Sequence, residues 1–360
     1  MRYKNKILLL LAVIISLTLI EYGLPRHPLL LLHYEKYVFI PYQSLRNVLF
    51  GYVPFSIGDF IYVIIAVVLI LLVIKWIYYL VRIRLFTGNL ISSFLHTLIA
   101  AGVFYILFIV GWGANYHRTP LAKYWHLVPA GNSKDTGMVA FDKYLIQKLN
   151  DYAPHYHALP FRDIAHHSSE YYHLYVDTNK PMALSAKRSL FGNKMENFHI
   201  QGYYNPFTGE AQVNALLPAF MLPFVVCHEL AHQCGIAAEG DANLMSYAVG
   251  ITSSDSLFRY SCYFNIWLYA QSIVRDRDSV LAKQLKLQLN SITLAHIDTL
   301  RAIRMKHYSK WGKYSGRLYD QYLRMQHQKG GIMSYDEVAI TAWEWEKDRI
   351  ANGIRKIPVP

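Results

Sequence analysis

The chain has 360 residues, enough for one large domain plus a membrane region, or for two modest domains. Hydrophobic residues make up 53% and charged residues only 17%, where a soluble globular protein carries about 25% charged; part of the chain is therefore expected in lipid. The formal charge of +12 comes with no compact Lys/Arg run and no aromatic–basic module, which argues against nucleic acid as a partner and for a basic protein beside anionic lipid.

The first expected elements are three apolar runs, residues 7–20, 60–81 and 95–112. A bilayer core takes about 20 mostly apolar residues, which the second and third runs supply. The first is shorter and resembles the apolar part of a signal peptide. However, Glu21, Tyr22 and Gly23 follow it without a small-x-small cleavage site, so a retained anchor is favoured. Positive residues before the first run, and Arg82 and Arg84 between the second and third, place those ends in the cytoplasm. The loop 25–57 and everything after about Ala114 then lie outside, in a multi-pass protein of the cell (inner) membrane with an extracytoplasmic C-terminal domain. Asp59 and Lys75 read as interface anchors.

Residues 1–114 thus form a membrane region and residues 115–360 a second domain. A helix is expected over 137–153, with Met138, Phe141, Leu145 and Leu149 on its apolar side and Pro154 at its end. A strand is expected over 171–176, and two more over 198–204 and 210–213 around the turn 205–209. Residues 210–214 could be an edge strand that takes up an extended peptide, and fit an ordinary hairpin strand at least as well. A helix over 223–234 has Pro223 in its first turn and Gly235 just past its end. Helices over 243–250, 257–275, 279–306 and 335–352 complete the chain, the last two separated at Gly330 and Gly331. His155, His157, His166, His167 and His173 match no standard ligand spacing and read as loop histidines. Three cysteines cannot all pair, and Cys227 and Cys234 on one helix are too far apart for a disulfide.

The chemistry sits in the helix at 223–234, where His228, Glu229 and His232 form an HExxH motif. Residues four apart share a helix face, so His228 and His232 can offer imidazole nitrogens to one zinc ion. Glu229 follows the first ligand on the side where a zinc-activated water would lie and can serve as general base. Apart from Glu229 the segment around the motif has no acidic or basic residue other than the two histidines, as a buried helix requires. A catalytic zinc needs a third protein ligand and an open position. Glu239 and Asp241 are both candidates, with Glu239 favoured, and Asn243, one turn after Glu239, could orient a ligand. Tyr260 is the first choice for an oxyanion donor, ahead of Arg259 and Tyr247.

Several segments carry a resemblance. They are Asn205-Pro-Phe-Thr-Gly-Glu210, Cys227-His-Glu-Leu-Ala-His-Gln233, Glu239-Gly-Asp-Ala-Asn243 and Phe258-Arg-Tyr-Ser261, together with Trp112-Gly-Ala-Asn-Tyr116 and Pro54-Phe-Ser-Ile-Gly-Asp59. With them the chain resembles a family of uncharacterised bacterial membrane proteins that carry a gluzincin-like zinc-peptidase motif. Gly240 stands where an acidic residue is expected. The resemblance implies an α+β, mostly helical fold in which three transmembrane helices precede a zincin-like domain with a small sheet.

The function expected is a membrane-anchored zinc metallopeptidase acting on a peptide or protein substrate. The alternative is a non-catalytic membrane protein whose structural zinc site binds a partner. A transporter is disfavoured, because the spans carry no paired charges. Oligomeric state is not readable.

Overall fold

The structure is a computed structural model that describes residues 3–127, 134–177, 182–307, 321, 334–353 and 356–359. The expected break at Gly330 and Gly331 lies outside the described residues. The chain is mostly helical, with two small sheets among the described residues.

Among the described residues three helices are long and apolar enough to cross a membrane: α1 (Lys4–Gly23), α4 (Ile57–Val81) and α5 (Ile83–Gly111). Each extends past its apolar run, because polar residues continue the helix beyond it. Helix α1 runs parallel to α5: the Tyr3 hydroxyl donates to Gly88 O (3.1 Å), Lys6 reaches Ser92 and Tyr105 donates to Glu21 (2.8 Å). Gly102 lets the two helices approach, since a methyl group there would lie 2.4 Å from Val13 Cγ1.

The stretch between the first two long helices, expected as a loop, is helical. It forms α2 (Pro28–Tyr34), one wide π turn (Glu35–Phe39) and α3 (Ile40–Gly51). It folds because it has a partner at the end of α5: Phe39, fully buried, packs against Trp112 with ring centroids 6.0 Å apart. Arg46, one of the loop's positive charges, is buried. It donates to Gln43 (2.6 Å), to Tyr204 (3.1 Å) and to the carbonyl of Pro206. The helical stretch and the C-terminal domain therefore sit at the same end of the long helices.

After α6 (Leu121–Tyr124) come α7 (Lys134–Tyr152) and α8 (Phe161–Tyr175). Helix α8 corrects the strand expected at 171–176: Phe161, Ile164, Ser168 and Tyr172 recur at three- and four-residue spacing on its buried face. Only β1 (Val176–Asp177) is extended there, paired with β5 (Ile357–Pro358). His166, His167 and His173 accordingly lie on a helix rather than in a loop.

A three-stranded sheet has the order β2 (Ala186–Arg188), β4 (Ala211–Val213), β3 (Gly202–Tyr204), with β4 parallel to β2 and antiparallel to β3. The segment 210–214 is thus central and buried, a hairpin partner of β3 rather than an edge that could take up a peptide. Helix α9 (Gly192–Phe198) connects β2 to β3.

Under this sheet lies α10 (Leu222–Gln233), enclosed by α8, α11 (Glu239–Thr252) and α12 (Ser256–Arg277). The helix expected over 279–306 is broken into α13 (Ser279–Lys286) and α14 (Ser291–Lys306), the latter capped by Asn290. Helix α15 (Ser334–Asn352) packs on α11 and α12.

Candidate metal centre

Helix α10 is apolar on nearly every side, so it can only be a core helix. Its neighbours hold it through its backbone: Tyr172 of α8 donates to Cys227 O (2.6 Å), and Ser246 of α11 donates to Phe224 O (2.6 Å). Gly235 ends it with φ +84°. The Ile236 amide donates to Ala231 O (3.1 Å) and the Gly235 amide to His232 O (2.9 Å), a Schellman turn. No side chain fits at Gly235, because a Cβ there would lie 2.6 Å from both Phe39 Cε1 and Arg118 Nη1.

This turn does two things. It brings the Ile236 carbonyl to 2.7 Å from His232 Nδ1, and it returns the chain so that α11 begins at Glu239 beside the two histidines. One turn into α11, Asn243 Oδ1 lies 2.9 Å from His228 Nδ1. A carbonyl and an amide oxygen only accept, so both Nδ1 atoms carry protons and both Nε2 atoms are left facing Glu239. His228 Nε2 is 3.1 Å from Glu239 Oε2, and His232 Nε2 is 3.6 Å from Glu239 Oε1. All three donor atoms lie within 4.8 Å of one another. Asp241 is directed elsewhere: its carboxylate accepts from the Leu121 backbone amide, and burial pushes its pKa up to about 6.

The electrostatics fit a place for a cation. Burial opposes charge on His228, but the Glu239 carboxylate outweighs it and pushes the pKa up to about 9. Burial, helped by the nearby His228, takes His232 down to about 4. Glu229 is pushed up to about 8 by burial, against the His228 charge and with that of Glu239. It is 3% exposed, and its Oε2 has no hydrogen-bond partner among the described residues. A buried carboxylate oxygen without a partner is costly in a purely structural role.

Glu229 is pressed against strand β3. A Cβ at Gly202 would lie 2.4 Å from Glu229 Oε1 and 2.8 Å from its Cδ, so only glycine allows this contact. The histidines and Glu239 open into a cavity of about 970 Å³, whose walls include Gly202, Tyr203, Tyr204, Trp112, Tyr116 and Tyr269. Trp112 meets the His232 ring edge-on at 5.9 Å. Tyr260 lies outside the cavity. It is a core residue whose hydroxyl is 2.8 Å from His296 Nδ1 and 3.3 Å from Thr293 Oγ1. Arg259 bonds to Ser253 O and, at 2.8 Å, to Tyr152, and Tyr247 is buried against Glu346.

Gly202 and Trp112 are cavity residues that the reading of the site by spacing does not find. Gly202 is the first residue of a short aromatic strand, and Trp112 opens the Trp112–Tyr116 segment. Asp59, read as an interface anchor, is fully buried. It accepts from the Leu190 amide (2.6 Å), from Ser189 (3.2 Å) and from the Tyr203 hydroxyl, which ties α4 to the cavity strand. A second group, His166, His167 and Glu170, lies on the outer face of α8, with His166 and Glu170 exposed.

Residues 34–340 match the family described as "Protein of unknown function (DUF3810)". The chain belongs to this family. The DUF3810 match takes in α4, α5, the sheet, α10 and α11 but not α1, so two of the three long helices and the histidine cluster fall within one family unit. No curated protein and no solved structure matches the chain.

Proposed function

We propose that the chain is a membrane-anchored zinc metallopeptidase with a zincin-like domain, in which His228, His232 and Glu239 hold the ion and Glu229 is the general base. One observation carries this reading: two Nε2 atoms and a carboxylate converge, with both Nδ1 atoms already engaged by acceptors, beside a buried carboxylate oxygen that has no partner. Two imidazoles and one carboxylate are a donor set that zinc accepts. Zinc, when bound, supplies Lewis acidity.

The rest follows from the chain's own residues. Asn243 and the Ile236 carbonyl fix the ring tautomers. Glu229, next to the ligand His228 in the chain, takes a proton from the attacking water and returns it to the leaving amine. Trp112 and Tyr204 cover the His232 ring. The membrane is the cell (inner) membrane and the domain faces away from the cytoplasm, as the Lys/Arg distribution of the short connections favours.

The test is metal analysis of the detergent-purified chain alongside peptide hydrolysis. About one zinc per chain is expected, with Glu229→Gln keeping the metal while hydrolysis falls by about 10²–10⁴. Protein without zinc, or a Glu229→Gln variant that hydrolyses peptides like the parent, would overturn the proposal.

A further inference from the structure

We infer that the substrate is a polypeptide anchored in the same membrane, which enters the cavity from the lipid side and adds to the free edge of β3. This rests on the peptidase reading above and names its substrate class.

The edge comes first. Asn205 N donates to Glu210 O (2.9 Å) and Asn214 N donates to Gln201 O (2.8 Å). In an antiparallel ladder the bonding residues alternate, so the backbone groups of Gly202 and Tyr204 face away from β4. Among the described residues no strand pairs with that side, and both residues line the cavity. An extended peptide laid there would gain main-chain hydrogen bonds and would pass His228, His232 and Glu239, which share the cavity with Gly202.

The direction of entry comes from the other walls. They include Tyr62 of α4 and Phe108 of α5, each about one turn inside the membrane-length helix that carries it. The 205–209 turn runs farther down: Phe207 stacks on Phe104 with centroids 4.3 Å apart. Phe104 lies seven residues before the end of α5 at Gly111, about 10 Å along the axis. The site therefore sits level with the apolar ends of the long helices. On its wall Phe198 (40%) and Ile200 (40%) are exposed, and so are Leu190 (55%), whose amide bonds to Asp59 of α4, and Leu216 (53%), which lies beside Gly192, the neighbour of the wall residue Phe191. Exposed apolar groups at this level suit the outer edge of the hydrocarbon layer. A segment of a membrane-held chain reaches this site without leaving the interface.

The full chain in vesicles of phosphatidylethanolamine and phosphatidylglycerol is given two pools of the same randomised twelve-residue peptides, one fused to a transmembrane helix and one free. A photo-crosslinking residue at Phe198 in the Glu229→Gln protein is expected to capture the anchored pool at least ten-fold over the free pool, and the parent chain is expected to cleave it with the same preference. Leu190→Glu with Leu216→Glu should reduce cleavage of the anchored pool ten-fold and leave cleavage of the free pool in detergent unchanged. Equal capture of both pools, or capture of the free pool alone, overturns the inference. Selective capture of the anchored pool without cleavage upholds it as a binding site and overturns the peptidase reading. Indifference of anchored-pool cleavage to the two glutamates overturns entry from the lipid side.

Discussion

Asn243 Oδ1 accepts from His228 Nδ1 at 2.9 Å, across 15 residues of sequence and two helices. The bond fixes which ring nitrogen faces Glu239. Partners of this kind are worth about 10–100-fold in metal affinity. Asn243→Ala is expected to weaken zinc binding by that factor, read by competition with a chromogenic chelator. Asn243→Asp, which keeps an acceptor, should retain most of it. Equal affinity in Asn243→Ala and the parent would show that the tautomer is set elsewhere.

Gly202→Ala tests the contact between strand and base. The added methyl would stand 2.4 Å from Glu229 Oε1, so the strand or the carboxylate must move. A displacement of about 1 Å can cost 10²-fold in rate. The expected result is hydrolysis reduced by about two orders of magnitude with zinc content unchanged. Unaltered hydrolysis would sink the assignment of Glu229 as the base at this position.

Asp142 makes a prediction about pH. It is fully buried on α7, neither oxygen has a partner among the described residues, and burial pushes its pKa up to about 7. The folded state holds this proton more tightly than the unfolded chain. The contribution to stability is therefore full below pH 4 and is lost as pH rises to about 7, beyond which it is flat. The swing is up to about 4 kcal/mol. Melting temperature in detergent should fall over that window, and Asp142→Asn should flatten the slope. A variant that keeps the slope would assign it to other groups.

The Lys187–Glu210 pair is buried, with Nζ 2.7 Å from Oε1. Glu210 also accepts from the amides of Ile57 (3.2 Å) and Gly58 (2.6 Å) at the start of α4. Lys187→Met leaves the carboxylate without its cation, a change that costs about 3–5 kcal/mol in buried pairs. The expected outcome is a clear loss of thermal stability, partly recovered by adding Glu210→Gln. Full stability in the single variant would show that water compensates the charge.

The helix that carries the HExxH motif was legible because its signals are local. The four-residue histidine spacing, the helix-ending Gly235 and the pair Glu239 and Asn243 all depend on helix geometry within 16 residues. Contacts between distant segments were not legible. Nothing near Gly202 in sequence says that it meets Glu229, and nothing near Arg46 says that it bonds to the 205–209 turn. Tyr260 shows the same limit from the other side. Its place downstream of the ligands suggested a catalytic donor, while α12 turns it toward Thr293 and His296 in the core. The strand reading of 171–176 failed because aromatic residues suit a strand and a buried helix face alike.

The cap on α4 also sets an order of events during synthesis. Gly58 and the Glu210 that receives its amide are separated by 152 residues. At about 5–20 residues per second the ribosome needs roughly 10–30 s to cover that distance. Through that interval the first turn of α4 has only water or Ser56 to bond. Its final seating waits for the sheet to fold, so in a chain stalled before Glu210 the first turn of α4 lacks its carboxylate cap.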